Sequence, residues 1–382
     1  MWPSPSVESS GPLAGVRVLD LSRILAGPFA TMVLADLGAD VVKVERPGTG
    51  DETRRWGPPF TTDPAGETVA AYFLACNRNK RSVAADLSST AGRRLVQGLA
   101  TEADVAVVNF RPASTLRLGL DPDTLQRLNP RLIVASITGF GADNPYADLP
   151  GYDLIVQAMG GFLSITGPEG GPGVKTGVAI GDLGAGLYAV AGILAALHRR
   201  AATGSGGTVE ISLLDAQVSL LANQAMNFLV GGSNPGPMGN AHPNIVPYET
   251  FSTADGEIAL GVGSDDQFHR LCELLGEEGL PDDTRFTGNA ARVAHRGELR
   301  HILESHFRTA PAGEWVTRLR RAGLPCGPVN SVSEVFADPV IAARMLDRID
   351  GIPQVLSPIR LDGERLPLRS PPPPLGAAGD AG

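Results

Sequence analysis

The sequence predicts an α/β fold in which a parallel sheet is covered by helices on both faces, with a second, smaller α+β domain in the middle of the chain. Short runs rich in Val, Ile and Leu alternate with helical patterns in the first half, which is typical of βαβ units. A Gly-, Pro- and Asn-rich loop near residue 240 ends this alternation, and a β-hairpin follows it. The 382 residues, 43% of them hydrophobic, are enough for two globular domains.

Strand-like runs and one clear helix carry the prediction for the first half. The apolar residues of GPFATMVLADLGA (27–39) recur at helical spacing. The strand-like runs are GVRVLDLS (15–22), DVVKVER (40–46), RSVAADL (81–87), ADVAVVNF (103–110) and RLIVASITGF (131–140). Because such runs suit strands buried on both faces, they indicate a Rossmann-like domain. The turn after the first run, SRILAGP, lacks G-x-G-x-x-G, so no NAD or FAD site is expected.

The second half is predicted to contain the smaller domain. GDLGAGLYAVAGILAALHRR (181–200) is typical of a long helix, and residues 207–232 of a strand that turns into a second long helix. YETFSTADGEIALGVG (248–263) is typical of a hairpin. The predicted division is a disordered tail at 1–12, the large Rossmann-like domain at 13–224, the small α+β domain at 225–325, a return to the large domain at 326–369 and a disordered tail at 370–382.

Charge and residue usage argue against several classes of function. The net charge of -9 disfavours nucleic acid as a partner, since phosphate binding needs a basic face. The three cysteines are far apart and the six histidines have no metal-ligand spacing, so we expect no metal and a cytoplasmic protein with reduced thiols. The sequence has no G-x-S-x-G nucleophile elbow, no apolar run of membrane-spanning length and no signal peptide, which disfavours a serine hydrolase and a membrane protein.

Basic residues lie next to several of the predicted strands. NRNKRS (77–82) precedes one strand, whereas VERPGTGDETRRW (44–56) and NFRPASTLRLG (109–119) begin at the ends of two others. Ligands bind at the carboxyl ends of the strands in open α/β sheets, and the guanidinium fork of arginine suits phosphate. These residues therefore indicate either a phosphate-bearing ligand or ordinary surface charge, and composition alone leaves both interpretations open.

Six phrases in a fixed order identify a family resemblance. They are GVRVLDLSRILAGPFATMVLADLGADVVKVERPGTGD, NRNKRSVAADL, VVNFRPASTLRLGL, NPRLIVASITGFG, GYDLIVQAMGG and GNAHPNIVPYETFSTADG. Together they closely resemble the family III coenzyme A transferases, the CaiB/BaiF group that includes formyl-CoA, carnitine-type and succinyl-CoA:dicarboxylate transferases and the α-methylacyl-CoA racemases. The resemblance covers about residues 13–350. It implies acyl-CoA and a carboxylic acid as substrates, no tightly bound cofactor, and an interlocked homodimer whose ring-like chains thread one another.

Asp182, in VAIGDLGAG, is the residue on which the family's nucleophile falls. The resemblance implies that its carboxylate attacks the thioester of a donor acyl-CoA and forms first an anhydride and then an aspartyl-CoA thioester. We expect backbone N–H groups at the helix start to stabilise the oxyanion and to keep Asp182 ionised. We also expect Gly181, Gly184 and Gly186 to allow the substrate close to the backbone. The alternative role of Asp182 is an N-cap of the helix.

The contacts with CoA carry over where the phrases match. The resemblance assigns the thiol arm, the pantetheine and the phosphates to Leu25, Ala26, Arg46, Asn109, Phe110, Arg117, Gly151 and Tyr152. Core packing is the alternative role for Phe110 and for Tyr152. Lys80 and Arg81 are weaker candidates, since surface charge explains them equally well.

The remaining features concern the substrate and the reaction. NAHPNIVP stands where formyl-CoA transferases have a glycine-rich loop, so the resemblance favours members acting on succinyl-CoA and other dicarboxylates. His242 in this loop is a candidate for orienting the acceptor carboxylate, or it forms only a loop-stabilising hydrogen bond. An α-methylacyl-CoA racemase is the first alternative, although Tyr152 stands where racemases have a histidine, and a phenol is a poor base at neutral pH. A non-catalytic acyl-CoA-binding protein is the second alternative.

Overall fold

The computed structural model describes residues 2–3 and 10–379, which fold into two compact units. Unit 1 comprises Met1–Phe162, Thr176–Ala222 and Pro339–Gly382, and unit 2 comprises Leu163–Lys175 and Asn223–Asp338. Unit 2 therefore includes residues 163–175 and 326–338, which the sequence division had placed in the large domain. Strand pairing explains the second difference, because Cys326–Pro328 adds to the small sheet of unit 2.

The strands of the described residues are, in chain order, β1 (Arg17–Asp20), β2 (Asp40–Glu45), β3 (Phe60–Thr62), β4 (Thr68–Ala70), β5 (Lys80–Ala84), β6 (Val105–Val108), β7 (Ile133–Thr138), β8 (Gly207–Ser212), β9 (Tyr248–Ser252), β10 (Glu257–Gly261), β11 (Cys326–Pro328), β12 (Leu346–Ile349), β13 (Ile352–Val355), β14 (Arg360–Leu361) and β15 (Glu364–Arg365).

The α-helices of the same residues are α1 (Ala26–Asp36), α2 (Ala71–Leu74), α3 (Thr90–Glu102), α4 (Pro112–Leu118), α5 (Pro122–Leu128), α6 (Asp153–Met159), α7 (Phe162–Ile165), α8 (Ile180–Thr203), α9 (Leu213–Ser219), α10 (Ala222–Gly231), α11 (Asp265–Leu275), α12 (Asn289–Ala294), α13 (Arg296–Phe307), α14 (Ala312–Arg321), α15 (Val332–Ala337) and α16 (Pro339–Met345).

Unit 1 is built on a six-stranded sheet in the order β5-β2-β1-β6-β7-β8, and every neighbouring pair is parallel. Neighbouring residues of β1 pack on opposite faces: Val18 belongs to one apolar core and Leu19 to another. A parallel sheet buried on both faces is the arrangement that the apolar runs predict, so the α/β, Rossmann-like prediction is confirmed for this unit. The parallel order also brings the carboxyl ends of all six strands to one edge.

Helix α8 packs closely against α1 and against the end of α9 because its facing residues are small. A Cβ atom on Gly186 would lie 2.8 Å from the carbonyl oxygen of Ala26, and one on Gly184 would lie 2.7 Å from a methyl group of Leu220. These glycines therefore serve contact between helices, which corrects the expectation that they admit the substrate. Among the described residues α8 is long and apolar enough to cross a membrane by length and composition alone, which the sequence analysis did not expect. Eight of its residues are buried in the protein, and core helices of globular proteins pass the same test.

The long helix predicted after β8 is wrong, because the chain forms two shorter helices there. Helix α9 ends at Ser219 and α10 begins at Ala222, which adopts a φ of 45°. A left-handed residue cannot continue a right-handed helix, so the direction of the chain changes at this point. The apolar periodicity passes through the break unaltered and gives no sign of it.

Unit 2 contains a three-stranded antiparallel sheet in the order β11-β10-β9, and the predicted hairpin is β9 with β10. Its core is rich in aromatic residues: Phe307 packs 5.1 Å from Phe251 and 5.1 Å from Trp315, measured between ring centroids. The indole N–H of Trp315 donates to the carbonyl oxygen of Phe307 at 2.8 Å, so this buried polar group is satisfied.

Parts of the two predicted tails are packed against unit 1. Trp2 is buried, and its indole N–H donates to Asp40 at 2.7 Å. Near the other end, Ala378 N donates to Ser82 O at 2.8 Å and Ala84 N donates to Gly379 O at 3.1 Å, so this segment pairs with the edge strand β5. The prediction of disordered tails does not apply to these residues, because they form specific contacts. For residues 1, 4–9 and 380–382 the prediction lies outside the described residues.

Candidate active site

Asp182 is the third residue of α8, inside its first turn, and not the N-cap. The N-cap position belongs to Ala179, whose side chain cannot cap. The carboxylate of Asp153 caps instead, since Gly181 N donates to Asp153 Oδ1 at 2.8 Å. The other oxygen of Asp153 accepts a hydrogen bond from Gln157 Nε2 at 2.6 Å. The N-cap interpretation of Asp182 is therefore wrong, and its carboxylate has another role.

The charge of Asp182 is disfavoured in the fold. Burial, and then the nearby carboxylate of Asp153, raise its pKa to about 7. This reverses the expectation that the helix start keeps Asp182 ionised. A helix terminus contributes only about 0.3–1 kcal/mol to a nearby charge, which does not offset the burial and the like charge at this site. Desolvation and like charge therefore dominate, and they leave a carboxylate that water stabilises poorly.

A cavity of about 320 Å³ in unit 1 brings Asp182 together with most of the residues that the resemblance assigns to CoA. It lies at the carboxyl ends of β1, β6 and β7, where ligands of open α/β sheets bind. The residues predicted from the sequence that line it are Leu25, Ala26, Asn109, Phe110, Gly151, Tyr152 and Asp182. Gly151 allows this shape because a Cβ atom there would lie 2.9 Å from the Cα of Gly139.

A second cavity, of about 610 Å³, lies at the ends of β2 and β5, and both arginines and carboxylates line it, the carboxylates being Glu45, Asp51, Glu52 and Asp86. Arg46 and Arg117, both predicted, line it together with Arg93, which the sequence analysis missed. Arg23 and Phe110 line both cavities, and the guanidinium of Arg23 lies 5.1 Å from the ring centroid of Phe110. The two cavities thus adjoin at Phe110. Arg93 lies on α3 and not directly after a strand, which is where the sequence analysis looked for cations.

The turn between β1 and α1 is held in an unusual conformation beside Asp182. Ile24 has a φ of 70°, which is unfavourable for a β-branched residue. Asn109 fixes the preceding residue, because its Oδ1 accepts from Arg23 N at 2.9 Å and its Nδ2 donates to Arg23 O at 2.7 Å. Lys43 Nζ donates to Ser22 O at 2.8 Å. The amide of Asn109 therefore stabilises the turn. Since both of its polar atoms bond to Arg23, it has less hydrogen-bonding capacity for pantetheine than the resemblance implies.

Lys80 and Arg81 are not placed for ligand binding. The side chain of Lys80 is fully buried and pairs with Asp20 at 3.1 Å, while Arg81 pairs with Asp40. Their alternative interpretation, free surface charge, is also wrong. An internal carboxylate neutralises each cation because burying an unpaired charge is too costly.

Three of the N–H groups at the start of α8 are already occupied. Ile180 N donates to Val178 O at 2.9 Å, Gly181 N donates to Asp153, and Leu183 N donates to Ala179 O at 3.0 Å. These donors cannot stabilise an oxyanion, contrary to the expectation for this helix start. The start of α1 is a better source, since its N-cap, Leu25, provides no side-chain acceptor and borders the cavity with Ala26.

Two aromatic side chains with different surroundings lie near the carboxylate. Tyr72 was not predicted; it is half-buried, its ring lies 5.5 Å from that of Trp56, and burial followed by the charge of Asp182 raises its pKa to about 12. It therefore remains a protonated donor at neutral pH. Tyr152, the residue before α6, is 58% exposed, so packing in the core is excluded as its role. Tyr72 lies on a four-residue helix, and no sequence motif marks it.

His242 lies in unit 2, in the loop before β9. Its ring is half-buried and lies 5.2 Å from that of Tyr248. Asn244 N donates to His242 Nδ1 at 3.1 Å, so Nδ1 is unprotonated and the neutral ring carries its proton on Nε2. Burial, and then the charge of Arg296, lower the pKa of this imidazole. At neutral pH His242 is therefore an uncharged hydrogen-bond donor.

The fold and the site define an enzyme of a particular class. A parallel α/β unit holds a poorly solvated carboxylate in one cavity, and an adjoining cavity is lined by arginines, as a phosphate-bearing substrate requires. The model of CoA-transferase family III matches residues 13–378, and the chain belongs to this family. It is a CoA-transferase, and the resemblance seen in the sequence is confirmed.

Named relatives cover nearly the whole chain. It is similar to a succinate–glutarate CoA-transferase of Agrobacterium fabrum, with 48% identity over 372 residues, 96% of this chain and 93% of that protein. It is also similar to the succinyl-CoA:glutarate CoA-transferase of Mus musculus, with 44% identity over 88% of this chain and 76% of that protein. Among solved structures, a CaiB/BaiF family protein from Brucella suis superposes with a TM-score of 0.87 at 47% identity, covering 97% of both chains.

Proposed function

We propose that this enzyme transfers CoA from succinyl-CoA to a dicarboxylic acid of the glutarate class, with Asp182 as the covalent nucleophile. The observation that carries the mechanism is the cavity that Asp182 shares with Leu25, Ala26 and Phe110. The observation that carries the substrates is that two similar proteins are named for succinate or succinyl-CoA and for glutarate.

The two adjoining cavities support one orientation of CoA. The phosphates bind in the larger cavity to Arg46, Arg93 and Arg117, because guanidinium groups hold phosphate oxygens in pairs. The pantetheine arm passes Phe110, which borders both cavities. The thioester then reaches Ala26 and Asp182 in the smaller cavity. Tight binding of the remote nucleotide holds the reacting carbon beside the carboxylate.

The reaction proceeds through four acyl transfers. A carboxylate oxygen of Asp182 attacks the thioester carbon of succinyl-CoA, the C–S bond breaks, and a succinyl-aspartyl anhydride and CoA thiolate form. The thiolate attacks the aspartyl carbonyl and releases succinate, which leaves an aspartyl-CoA thioester. The carboxylate of the acceptor attacks this thioester and forms a second anhydride and thiolate. The thiolate then attacks the acceptor's carbonyl carbon, which yields the new acyl-CoA and restores Asp182.

The surroundings of Asp182 suit this chemistry. A buried carboxylate whose pKa lies near 7 is less well solvated than one in water. Because it is less solvated, it is a better nucleophile. The N–H groups at the start of α1, beside Leu25 and Ala26, stabilise the oxyanion of each tetrahedral intermediate. The phenol of Tyr72 donates a hydrogen bond to the same region. Tyr152 lines the same cavity, and its phenol stands where the racemases of the family have a histidine, which favours transfer over racemisation.

A panel of acids tests the substrates. With succinyl-CoA as donor, we expect glutarate to be converted to glutaryl-CoA faster than a monocarboxylic acid of equal length, since the free carboxylate of the acceptor is recognised. The new acyl-CoA is identified by its mass, and the reverse reaction of glutaryl-CoA with succinate serves as the control. Failure of every dicarboxylic acid in the panel to yield an acyl-CoA would overturn the proposal.

The enzyme is proposed to act as the interlocked homodimer that the family resemblance implies, in the cytoplasm. Large apolar side chains are exposed on α8, where Leu187 is 55% accessible, and on α10, where Leu229 and Val230 are 71% and 81% accessible. Surfaces of this kind are covered in a stable oligomer. The three cysteines are unpaired, as in a reducing compartment.

We expect dissociation and unfolding of this dimer to be a single event, because threaded chains cannot separate while folded. The midpoint of thermal unfolding should rise with protein concentration. Light scattering across a dilution series to low micromolar concentration checks this expectation. A folded monomer at any point in the series contradicts it.

A further inference from the structure

The turn between β1 and α1 is held by side chains at every backbone N–H and C=O group of residues 22–24. Ile24, whose φ is 70°, is bonded at both of its groups: its N–H donates to Asp51 Oδ2 at 3.2 Å, and its carbonyl oxygen accepts from Cys76 Sγ at 3.7 Å. Side chains, and not a strand or a helix, therefore determine the conformation of this turn. The five side chains that bond the six groups are those of Asp20, Lys43, Asp51, Cys76 and Asn109.

The next two residues are different, because their N–H groups are unoccupied. Neither Leu25 N nor Ala26 N has an acceptor among the residues that the structure describes, and both residues line the cavity that contains Asp182. The change from complete bonding to free donors thus falls where the turn reaches the cavity. Free N–H groups beside a nucleophile are suited to an oxyanion that forms there.

The ion pair that holds this turn is fully buried. Lys43 Nζ lies 2.9 Å from Asp51 Oδ2, and neither side chain is exposed. Burial would raise the pKa of Asp51, but the charge of Lys43 outweighs it and holds this pKa below its usual range, so the pair is ionised. Each partner also bonds the turn, Lys43 at Ser22 O and Asp51 at Ile24 N. A buried ion pair contributes little net stability, since desolvation offsets the attraction, so these bonds to the turn indicate its role.

The conformation of Ile24 is the feature that this ion pair enforces. A left-handed φ is unfavourable for a β-branched residue and persists only where the surroundings impose it. Because this torsion sets the direction of the chain that follows, it also sets where the free N–H groups of Leu25 and Ala26 lie. We propose that Lys43 and Asp51 are positioning residues, which hold Ile24 left-handed so that the two free N–H groups stabilise the oxyanion of each acyl transfer. This inference rests on the proposed function.

The rate constant for acylation of Asp182 tests this role. Rapid quenching into hydroxylamine, at saturating succinyl-CoA, measures the rate constant and the amplitude of acylation separately. Unfolded molecules lower only the amplitude, and saturation removes any effect on affinity. We expect Asp51→Ala to lower the rate constant about 10- to 100-fold, because misplaced oxyanion donors lose much of the effect that deleting a donor removes.

A second substitution at Ile24 separates positioning from other effects of Asp51. Glycine adopts a positive φ without the penalty that Ile24 carries, so Ile24→Gly lessens the need for an enforcing contact. In the Ile24→Gly background, the loss caused by Asp51→Ala should be at least about threefold smaller than in the wild-type background. A role confined to folding would give the same rate constants with and without this rescue.

Two further variants complete the experiment. Lys43→Met combined with Asp51→Ala removes both charges, so it leaves neither ion without its partner and carries the test should Asp51→Ala not fold. Asp121→Ala is the matched control, because Asp121 also caps a short helix, accepting from Thr124 N at 3.0 Å, and lines neither cavity. Its rate constant should equal that of the wild type.

The outcomes distinguish this inference from the proposed function. A wild-type rate constant in Asp51→Ala, or in the double variant with Lys43→Met, overturns the positioning role and leaves Asp182 as the nucleophile. An equal loss with and without Ile24→Gly overturns it too, because Asp51 then does not act through the conformation of Ile24. A comparable loss in Asp121→Ala assigns the effect to general destabilisation. Absence of acylation in the wild type contradicts the proposed nucleophile and this inference with it.

Discussion

Asp182→Asn is expected to abolish CoA transfer, lowering kcat by at least about 10³-fold, because every later acyl transfer passes through this carboxylate. The amide keeps the size of the side chain, so binding of acyl-CoA in the arginine-lined cavity should stay near the wild-type affinity. The variant should also be at least as stable as the wild type above pH 7, since it removes a charge that burial and Asp153 disfavour. Turnover and calorimetric binding of succinyl-CoA measure the two effects separately.

Chemical trapping tests the covalent step directly. Hydroxylamine should convert Asp182 to a hydroxamate only when acyl-CoA is present, because the anhydride and the aspartyl thioester are both activated acyl groups. Asp143→Asn is the matched control, since Asp143 is exposed and lines neither cavity. A hydroxamate at another residue, or full turnover in Asp182→Asn, would assign the nucleophile elsewhere.

The second large effect is on pH dependence. Because the pKa of Asp182 is raised to about 7 and the reactive form is the carboxylate, kcat/KM should rise about tenfold per pH unit below this value and level off above it. An ordinary aspartate, ionised above pH 4, would give a flat profile in this range.

Asp153→Asn tests the origin of the shift. Removing the neighbouring charge should move the midpoint of the profile to lower pH, while the amide oxygen of the new residue can still accept from Gly181 N. Burial, the larger cause, remains, so the midpoint should stay above the ordinary value for aspartate. Asp143→Asn should leave it in place. An unchanged or raised midpoint in Asp153→Asn means that the two carboxylates are not coupled.

The sheet of unit 1 was predictable because its strands are marked locally. Runs such as DVVKVER and ADVAVVNF are apolar and β-branched, and β2 and β6 fall inside them. The break between α9 and α10 was not predictable, since it depends on the backbone of Ala222 and not on the apolar pattern. Local patterns thus specify elements better than they specify the joints between them.

The candidate site also contains some residues that the sequence predicts and others that it does not. Most of the predicted residues that line the smaller cavity lie in the connections after β1, β6 and β7, whose ends converge, and the family resemblance marks them. Whether a cation is available to bind a ligand is harder to predict, because it depends on carboxylates distant in sequence. Lys80 forms an ion pair with Asp20, whereas Arg93 lines a cavity. No local pattern distinguishes these two cases. The N-cap of α8 was missed for the same reason, since the capping carboxylate comes from Asp153 and not from the adjoining chain.

The pairing of Ala378 and Gly379 with β5 has a consequence for the order in which the protein matures on the ribosome. An edge strand with open N–H and C=O groups can pair with another chain, and here the segment that covers β5 follows every strand of unit 1 in the sequence. The continuous stretch Asn223–Asp338, by contrast, has emerged in full before that segment exists. The nascent chain therefore exposes the edge of β5 until Ala378 and Gly379 have emerged, and this interval is when it most needs protection from aggregation.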